Sequence, residues 1–217
     1  MFRKLIELLK KGDLMSQALE ESYEMLEKGI LLFEKVSRHF LEIEPLEEGF
    51  DVYAKDRELN NMERSIRRKI LEHLSINPKQ DIVGALVLTT VIVHIERLGD
   101  YSKNVFELSQ KNSTIKESKY YERAKTIVER LFPLCERTII VYREAVAEEA
   151  KNMIPALDDI KKECERNIED LMEEKDISIR NAILFSLFFR YLKRVASHTI
   201  DILTSIWQPF HLIDFYK

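Results

Sequence analysis

The chain has 217 residues, of which 45% are hydrophobic and 33% are charged, a balance that excludes an intrinsically disordered protein. Its formal net charge of −4, with a pI near 5.9, supplies no basic surface, which argues against binding to nucleic acid. Glycine and proline number only five each, so turn-rich β-sandwich and α/β folds are excluded and a few long helices are favoured.

Apolar residues spaced three and four apart predict three long helices in the first half of the chain. They are predicted over residues 14–41, 48–74 and 79–111, preceded by a short amphipathic helix over 2–10. Pro45 and Pro78 follow the first two helices and stop them. The third helix opens with an uncharged stretch of 14 residues, 82–95. Because a membrane span takes about 18 apolar residues or more, this stretch is expected in a protein core.

The second half of the chain shows the same kind of spacing. Its helices are predicted over residues 118–146, 148–175 and 178–207. Pro155 is expected to set a boundary or a kink near the start of the fifth helix. After Pro209 the apolar residues of the tail, 210–215, are expected to dock onto the bundle.

The two halves are related by a shift of 97 residues. This shift places Arg97 on Arg194 and Gly99 on Ala196, and the register holds without a gap across two helices. We therefore predict an all-α fold of two tandem antiparallel three-helix bundles related by an internal repeat, six long helices in all. The bundles are predicted to occupy residues 1–113 and 114–217.

The third helix carries an acidic pair, Glu96 and Asp100, whose spacing of four puts both carboxylates on one helix face. Like charges at this spacing cost an isolated helix a few tenths of a kcal/mol. The pair therefore needs a cation, a basic partner or open solvent. Gly99 costs about 1 kcal/mol relative to alanine inside a helix, which indicates close approach of another backbone or of a ligand.

The string E-R-L-G-D-Y-x-x-N, from Glu96 to Asn104, follows a long apolar helical run. It resembles the signature of the PhoU family of phosphate-uptake regulators, and the resemblance covers essentially the whole chain. It implies two tandem three-helix bundles with an E/D-x-x-x-D motif on each third helix, on which some members carry iron or zinc clusters. The family's second helix also offers carboxylates. The resemblance thus adds Asp56 and Glu63 as secondary metal ligands or as residues that orient the site, with Asn60 in place of the family's middle acid.

The second repeat departs from this pattern. Lys193 and Ser197 stand where the family has acids, and Met153 and Ile160 stand opposite Asp56 and Glu63 in the 97-residue alignment. A lysine repels a metal cation and can pair with a remaining acid. We therefore expect one iron or zinc site, in the first bundle only.

The histidines and cysteines suggest no further site. None of the five histidines has glutamate three residues before it, as a ferritin-like di-metal bundle requires. His94 and His198 are expected to be packed structural residues, with metal ligation by either one as the alternative. Cys135 and Cys164 lie in no metal-binding spacing, which is typical of a reduced, intracellular chain.

The resemblance implies a cytoplasmic regulator of phosphate uptake and phosphate homeostasis that is not an enzyme. It implies binding to a phosphate transporter component and/or a sensor histidine kinase, with peripheral contact with membrane proteins. Homodimerisation is a further expectation. Two alternatives stay open: a metal-free structural or adaptor bundle and, with less support from the residues, a carboxylate-bridged metalloenzyme.

Overall fold

The computed structural model describes residues 13–77, 81–111 and 115–215. Over these residues it has six long helices and no strand. The helices are α1 (Leu14–Phe40), α2 (Val52–Ile76), α3 (Ile82–Ser109), α4 (Lys119–Glu144), α5 (Ala147–Glu173) and α6 (Ile179–Ser205). The predicted all-α fold is confirmed, and each observed end lies within four residues of the predicted one. The helix predicted over 2–10 lies outside the described residues.

Side-chain caps explain where several of the helices begin. The Asp13 carboxylate accepts a hydrogen bond of 2.7 Å from the backbone N–H of Ser16 at the start of α1. The Asp51 carboxylate does the same at α2, accepting from the N–H of Ala54 at 2.9 Å. Each contact satisfies one of the N–H groups that the first turn of a helix leaves without an intrahelical partner.

The boundary expected at Pro155 is wrong, because α5 runs through this residue to Glu173. Proline removes one intrahelical hydrogen bond, and its ring crowds the preceding turn. The neighbouring Ile154 and Leu157 are completely buried, so core packing offsets this cost. Pro133 lies inside α4 in the same way.

The two halves share one hydrophobic core. Phe33 of α1 lies 6.0 Å from Phe132 of α4, measured between ring centroids. Phe40 of α1 lies 4.3 Å from Phe188 of α6. Three of the described long helices precede residue 113 and three follow it, but the division into domains at residues 113 and 114 stays a prediction.

The central contact between the halves is made by α3 and α6, which we call the α3–α6 interface. His94 of α3 contacts His198 of α6. Tyr101, seven residues later, contacts Tyr191, seven residues earlier, with ring centroids 5.8 Å apart. The two helices therefore run antiparallel. The shift of 97 residues carries His94 onto Tyr191 and Tyr101 onto His198. The contact between the two histidines therefore corresponds, in the repeat, to the contact between the two tyrosines.

Helix α3 contains the uncharged stretch of residues 82–95 and extends beyond it to Ser109. With 28 residues it is long and apolar enough to cross a membrane by length and composition. The core helix of a soluble protein passes the same test, and half of the most apolar window of α3 is buried within the protein. The packing against α1, α2 and α6 accounts for its apolar character.

Candidate functional site

Helices α2 and α3 bring the four predicted carboxylates to one region, which we call the acidic cluster (Asp56, Glu63, Glu96 and Asp100). Asp56 is buried and the other three are half-buried. Burial raises the pKa of Glu96, and the charges of Asp100, Glu63 and Asp56 raise it further against the opposing effect of Arg97. Glu96 therefore lies within electrostatic range of the other three acids.

Gly99 permits this close approach of α2 to α3. A Cβ atom at this position would lie 2.8 Å from Leu59 Cδ1 and 3.2 Å from Asp56 Oδ1. Both distances are shorter than ordinary van der Waals contact. The approach inferred from the helical glycine is thus made by two side chains of α2, and it places Asp56 beside the acidic pair.

Basic side chains of α3 already pair with three of these acids, and Arg67 of α2 pairs with the fourth, Glu63. The Lys103 ammonium lies 3.3 Å from Asp56 Oδ2 and 3.2 Å from Asp100 Oδ1. The guanidinium of Arg97 donates to Asp100 Oδ2 at 2.8 Å. The acidic cluster is therefore arranged around cations that the chain itself supplies.

Two features of the acidic cluster nevertheless fit an additional cation. Asp56 Oδ1 is buried and has no hydrogen-bond partner among the described residues, and Glu96 has a raised pKa because of burial and neighbouring acids. A buried carboxylate oxygen without a partner is costly. Against this, no three of the four acids in the cluster, all of them described residues, bring one carboxylate oxygen each within 4.8 Å of one another. The structure brings the predicted residues together without giving them the geometry of a metal centre.

The equivalent place in the second half has a different chemistry. Lys193 pairs with Glu165 of α5, which is the kind of partner expected of a lysine there. Met153 and Ile160 are buried and apolar. The described residues at this place supply no second set of carboxylates.

A second group of polar side chains lies at the α3–α6 interface. We call it the histidine cluster (His94, His198 and Asp201). The Nδ1 atoms of the two imidazoles are 2.9 Å apart, and Asp201 Oδ2 lies 3.6 Å from His94 Nδ1 and 3.7 Å from His198 Nδ1. Among the described residues, this is the one set of three histidine, cysteine or acidic side chains whose ligand atoms converge in this way.

Burial changes the ionisation of all three members of the histidine cluster. It lowers the pKa of His198 to about 3, with a further contribution from His94, and it also lowers the pKa of His94. Burial and the neighbouring carboxylate of Asp214 raise the pKa of Asp201 to about 7. Near neutral pH both imidazoles are therefore uncharged, the form in which histidine binds metals.

Sequence reasoning missed the histidine cluster. His94 and His198 are 104 residues apart and belong to no motif, and Asp201 matches Asn104 in the repeat. One signal in the sequence pointed to it. His94 and Tyr101 lie seven residues apart on α3, and the 97-residue alignment places them on Tyr191 and His198 of α6, in the opposite order of residue types. If the third helices of the two repeats meet antiparallel, this pattern places the two histidines face to face.

Known proteins resemble this chain in sequence and in fold. Residues 8–109 match the PhoU domain. An uncharacterized protein of Methanocaldococcus jannaschii, MJ1641, is 25% identical over 169 residues, which is 75% of this chain. The chain spans only 55% of the length of that relative.

Two solved structures share the fold. The phosphate transport system regulatory protein PhoU from Streptococcus pneumoniae superposes with a TM-score of 0.67 at 12% identity, covering 94% of this chain and 92% of that one. PhoU from Pseudomonas aeruginosa superposes with a TM-score of 0.64 at 14% identity, covering 95% and 97%. The resemblance to the PhoU family is confirmed: residues 8–109 match the PhoU domain, and the chain shares the helical-bundle fold of the two solved PhoU proteins.

Proposed function

We propose that this protein is a PhoU-like cytoplasmic regulator of phosphate uptake and phosphate homeostasis. It acts by binding a phosphate transporter component and/or a sensor histidine kinase, and not by catalysis. The observation that carries this proposal is the PhoU domain over residues 8–109, set in a chain that has the PhoU fold over 94% of its length.

Two surfaces suited to such binding lie at the beginnings of α3 and α6, at opposite ends of the antiparallel α3–α6 interface. Ile82 and Leu86 of α3 are exposed, and so are Ile179 and Ile183 of α6. The 97-residue shift places the first pair on the second, so the two halves present equivalent apolar surfaces. Exposed apolar groups at matching places favour protein partners over solvent.

The binding proposal is tested with a charged substitution in the apolar surface of α6 and a matched control. Ile183 and Leu31 are similarly exposed, at 54% and 52%, but lie on different helices. In a pull-down with the host's phosphate transporter component or sensor kinase, Ile183→Glu is expected to weaken capture. Leu31→Glu should capture the partner as the unmodified protein does. Equal capture of the partner by both variants would remove the apolar surface of α6 from the proposal.

The regulatory proposal is tested in the host cell. Deleting the gene is expected to change the expression of phosphate-starvation genes, and a plasmid copy should restore it. An unchanged phosphate response in a host without a second copy would contradict the proposal. It would favour the metal-free adaptor bundle instead.

An iron or zinc ion on the acidic cluster stays a prediction. The unpartnered Asp56 Oδ1 supports it, and the ion pairs of Lys103 with Asp56 and Asp100 compete with it. Metal analysis of the purified protein is the test, with Glu96→Gln and Asp100→Asn as variants. If the metal content is the same in both variants and the unmodified protein, the acidic cluster is not the site.

The homodimer also stays a prediction. Light scattering of the purified chain measures its mass directly, and a value near the 25.7 kDa of one chain would contradict it.

A further inference from the structure

The histidine cluster is separate from the acidic cluster although both draw on α3. Glu96 faces the acids of α2, whereas His94, two residues earlier, faces His198 of α6. The side chains of His94 and His198 are each only 12% exposed, and that of Asp201 is 19% exposed. We propose that His94, His198 and Asp201 bind one divalent transition-metal ion, zinc or ferrous iron, at the α3–α6 interface.

The spacing of the three ligand atoms carries the first part of the argument. The triangle formed by the two Nδ1 atoms and Asp201 Oδ2 has edges of 2.9, 3.6 and 3.7 Å. Zinc binds nitrogen and oxygen at about 2.0–2.1 Å in a tetrahedron, so its ligand atoms lie about 3.3 Å apart. The mean observed edge is close to that value, and one ion is in reach of all three atoms.

The orientation of the two imidazoles carries the second part. His94 Nε2 lies 3.0 Å from Asp214 Oδ1, and His198 Nε2 lies 3.2 Å from the hydroxyl of Tyr101. When both Nε2–H groups donate to these oxygens, both Nδ1 atoms are unprotonated and lie close enough together to bind one ion. A carboxylate or hydroxyl on the far nitrogen is the usual support of a metal-binding histidine.

The support of His198 is itself held in position. The Arg194 Nε–H donates to the Tyr101 hydroxyl at 3.2 Å, and the rings of Tyr101 and His198 are stacked with centroids 5.7 Å apart. The support of His94 comes from the tail, where Ile213 is buried in the core and brings the adjacent Asp214 onto the ring. Three segments of the chain, α3, α6 and the tail, thus converge on the two imidazoles.

A metal-free arrangement satisfies the two imidazoles but leaves Asp201 out. The 2.9 Å contact between the two Nδ1 atoms is then a hydrogen bond in which the protonated Nδ1 of one neutral ring donates to the unprotonated Nδ1 of the other. At 3.6 and 3.7 Å, the Asp201 carboxylate receives a hydrogen bond from neither ring, although it is largely buried. A cation at this place interacts with all three groups at once, which removes the cost of the buried carboxylate.

The donor set selects the class of metal. Two imidazole nitrogens and one carboxylate oxygen suit zinc and ferrous iron, while magnesium and calcium prefer oxygen ligands alone. Three protein ligands leave a coordination position for water or another small ligand. The proposal does not depend on the regulatory function, because it concerns only the ion and its ligands.

The test uses the full-length protein stripped of metal with a chelator and titrated with zinc in a calorimeter. One equivalent of zinc is expected to bind. Loss of a residue that only orients a metal ligand weakens metal binding by about 10–100-fold. Asp214→Asn should weaken zinc binding within this range. His94→Gln, His198→Gln and Asp201→Asn should each weaken it by more. Circular dichroism checks that each variant is folded.

Two controls separate this site from others. His39→Gln removes a part-buried histidine of α1 that belongs to neither cluster, and Glu96→Gln with Asp100→Asn alters the acidic cluster. His39→Gln should bind zinc as the unmodified protein does, and the acidic-cluster variant should keep the equivalent of zinc that His198→Gln removes. Cobalt(II) gives a second readout, because its visible spectrum reports tetrahedral nitrogen and oxygen ligands and should disappear in His198→Gln. The proposal would be overturned if zinc binding were lost only in the acidic-cluster variant. It would also be overturned if the protein bound no zinc at all, in which case His94 and His198 form only a hydrogen-bonded pair.

Discussion

Replacing Gly99 with alanine tests the close approach of α2 and α3 at the acidic cluster. Alanine is favoured over glycine in a helix by about 1 kcal/mol. The new Cβ, however, would lie 2.8 Å from Leu59 Cδ1, and Leu59 is only 1% exposed, so its side chain must shift within the packed core. Overpacking of a core costs about 1–3 kcal/mol. We expect a net loss of about 1 kcal/mol in the free energy of unfolding.

Gly29 provides the matched control, since it also lies inside a long helix and faces the other side of α3. A Cβ there would lie 3.4 Å from Leu98 Cβ and Cδ1, an ordinary van der Waals contact. Gly29→Ala should therefore keep most of the helix-propensity gain and stabilise the protein by about 0.5–1 kcal/mol. The two variants should differ by about 2 kcal/mol.

Urea unfolding followed by circular dichroism measures both free energies. The slope of free energy against urea should be unchanged in both variants, because the surface exposed on unfolding is the same. If Gly99→Ala were as stable as Gly29→Ala, Leu59 and Asp56 would have room to move. The account of Gly99 as the residue that admits α2 would then be wrong.

Three further predictions follow from buried groups. Lys103→Met should cost about 1–3 kcal/mol because it leaves the buried Asp56 carboxylate without its cation, and adding Asp56→Asn should restore most of this loss in the same urea assay. Phe188→Ala should cost about 3–5 kcal/mol, and tryptophan fluorescence and circular dichroism should still follow one unfolding curve; two separate curves would contradict the shared core. Burial raises the pKa of the Cys135 and Cys164 thiols to about 12, so a thiol reagent at neutral pH should modify both in denaturant and neither in the native protein.

The fold was largely predictable because hydrophobic spacing and scarce turn residues are local properties of the sequence. Of the boundary or kink expected at Pro155, the boundary was wrong because α5 continues through the proline, which depends on the packing of neighbours that the sequence does not place, and the kink stays a prediction. The residues of the acidic cluster were found by motif, but the competing ion pairs of Lys103 depend on how α2 and α3 meet. The histidine cluster was missed since His94 and His198 become neighbours only through contact between the two halves.

The antiparallel α3–α6 interface has a consequence for how its two ends can differ. Two identical single-bundle subunits meeting in this way would carry the same pair of side chains at both ends of the contact. When the two units are joined in one polypeptide, each position mutates independently. Here one end has the pair His94 and His198, and the other has the pair Tyr101 and Tyr191. Covalent duplication thus lets a symmetric contact hold a histidine pair at one end only.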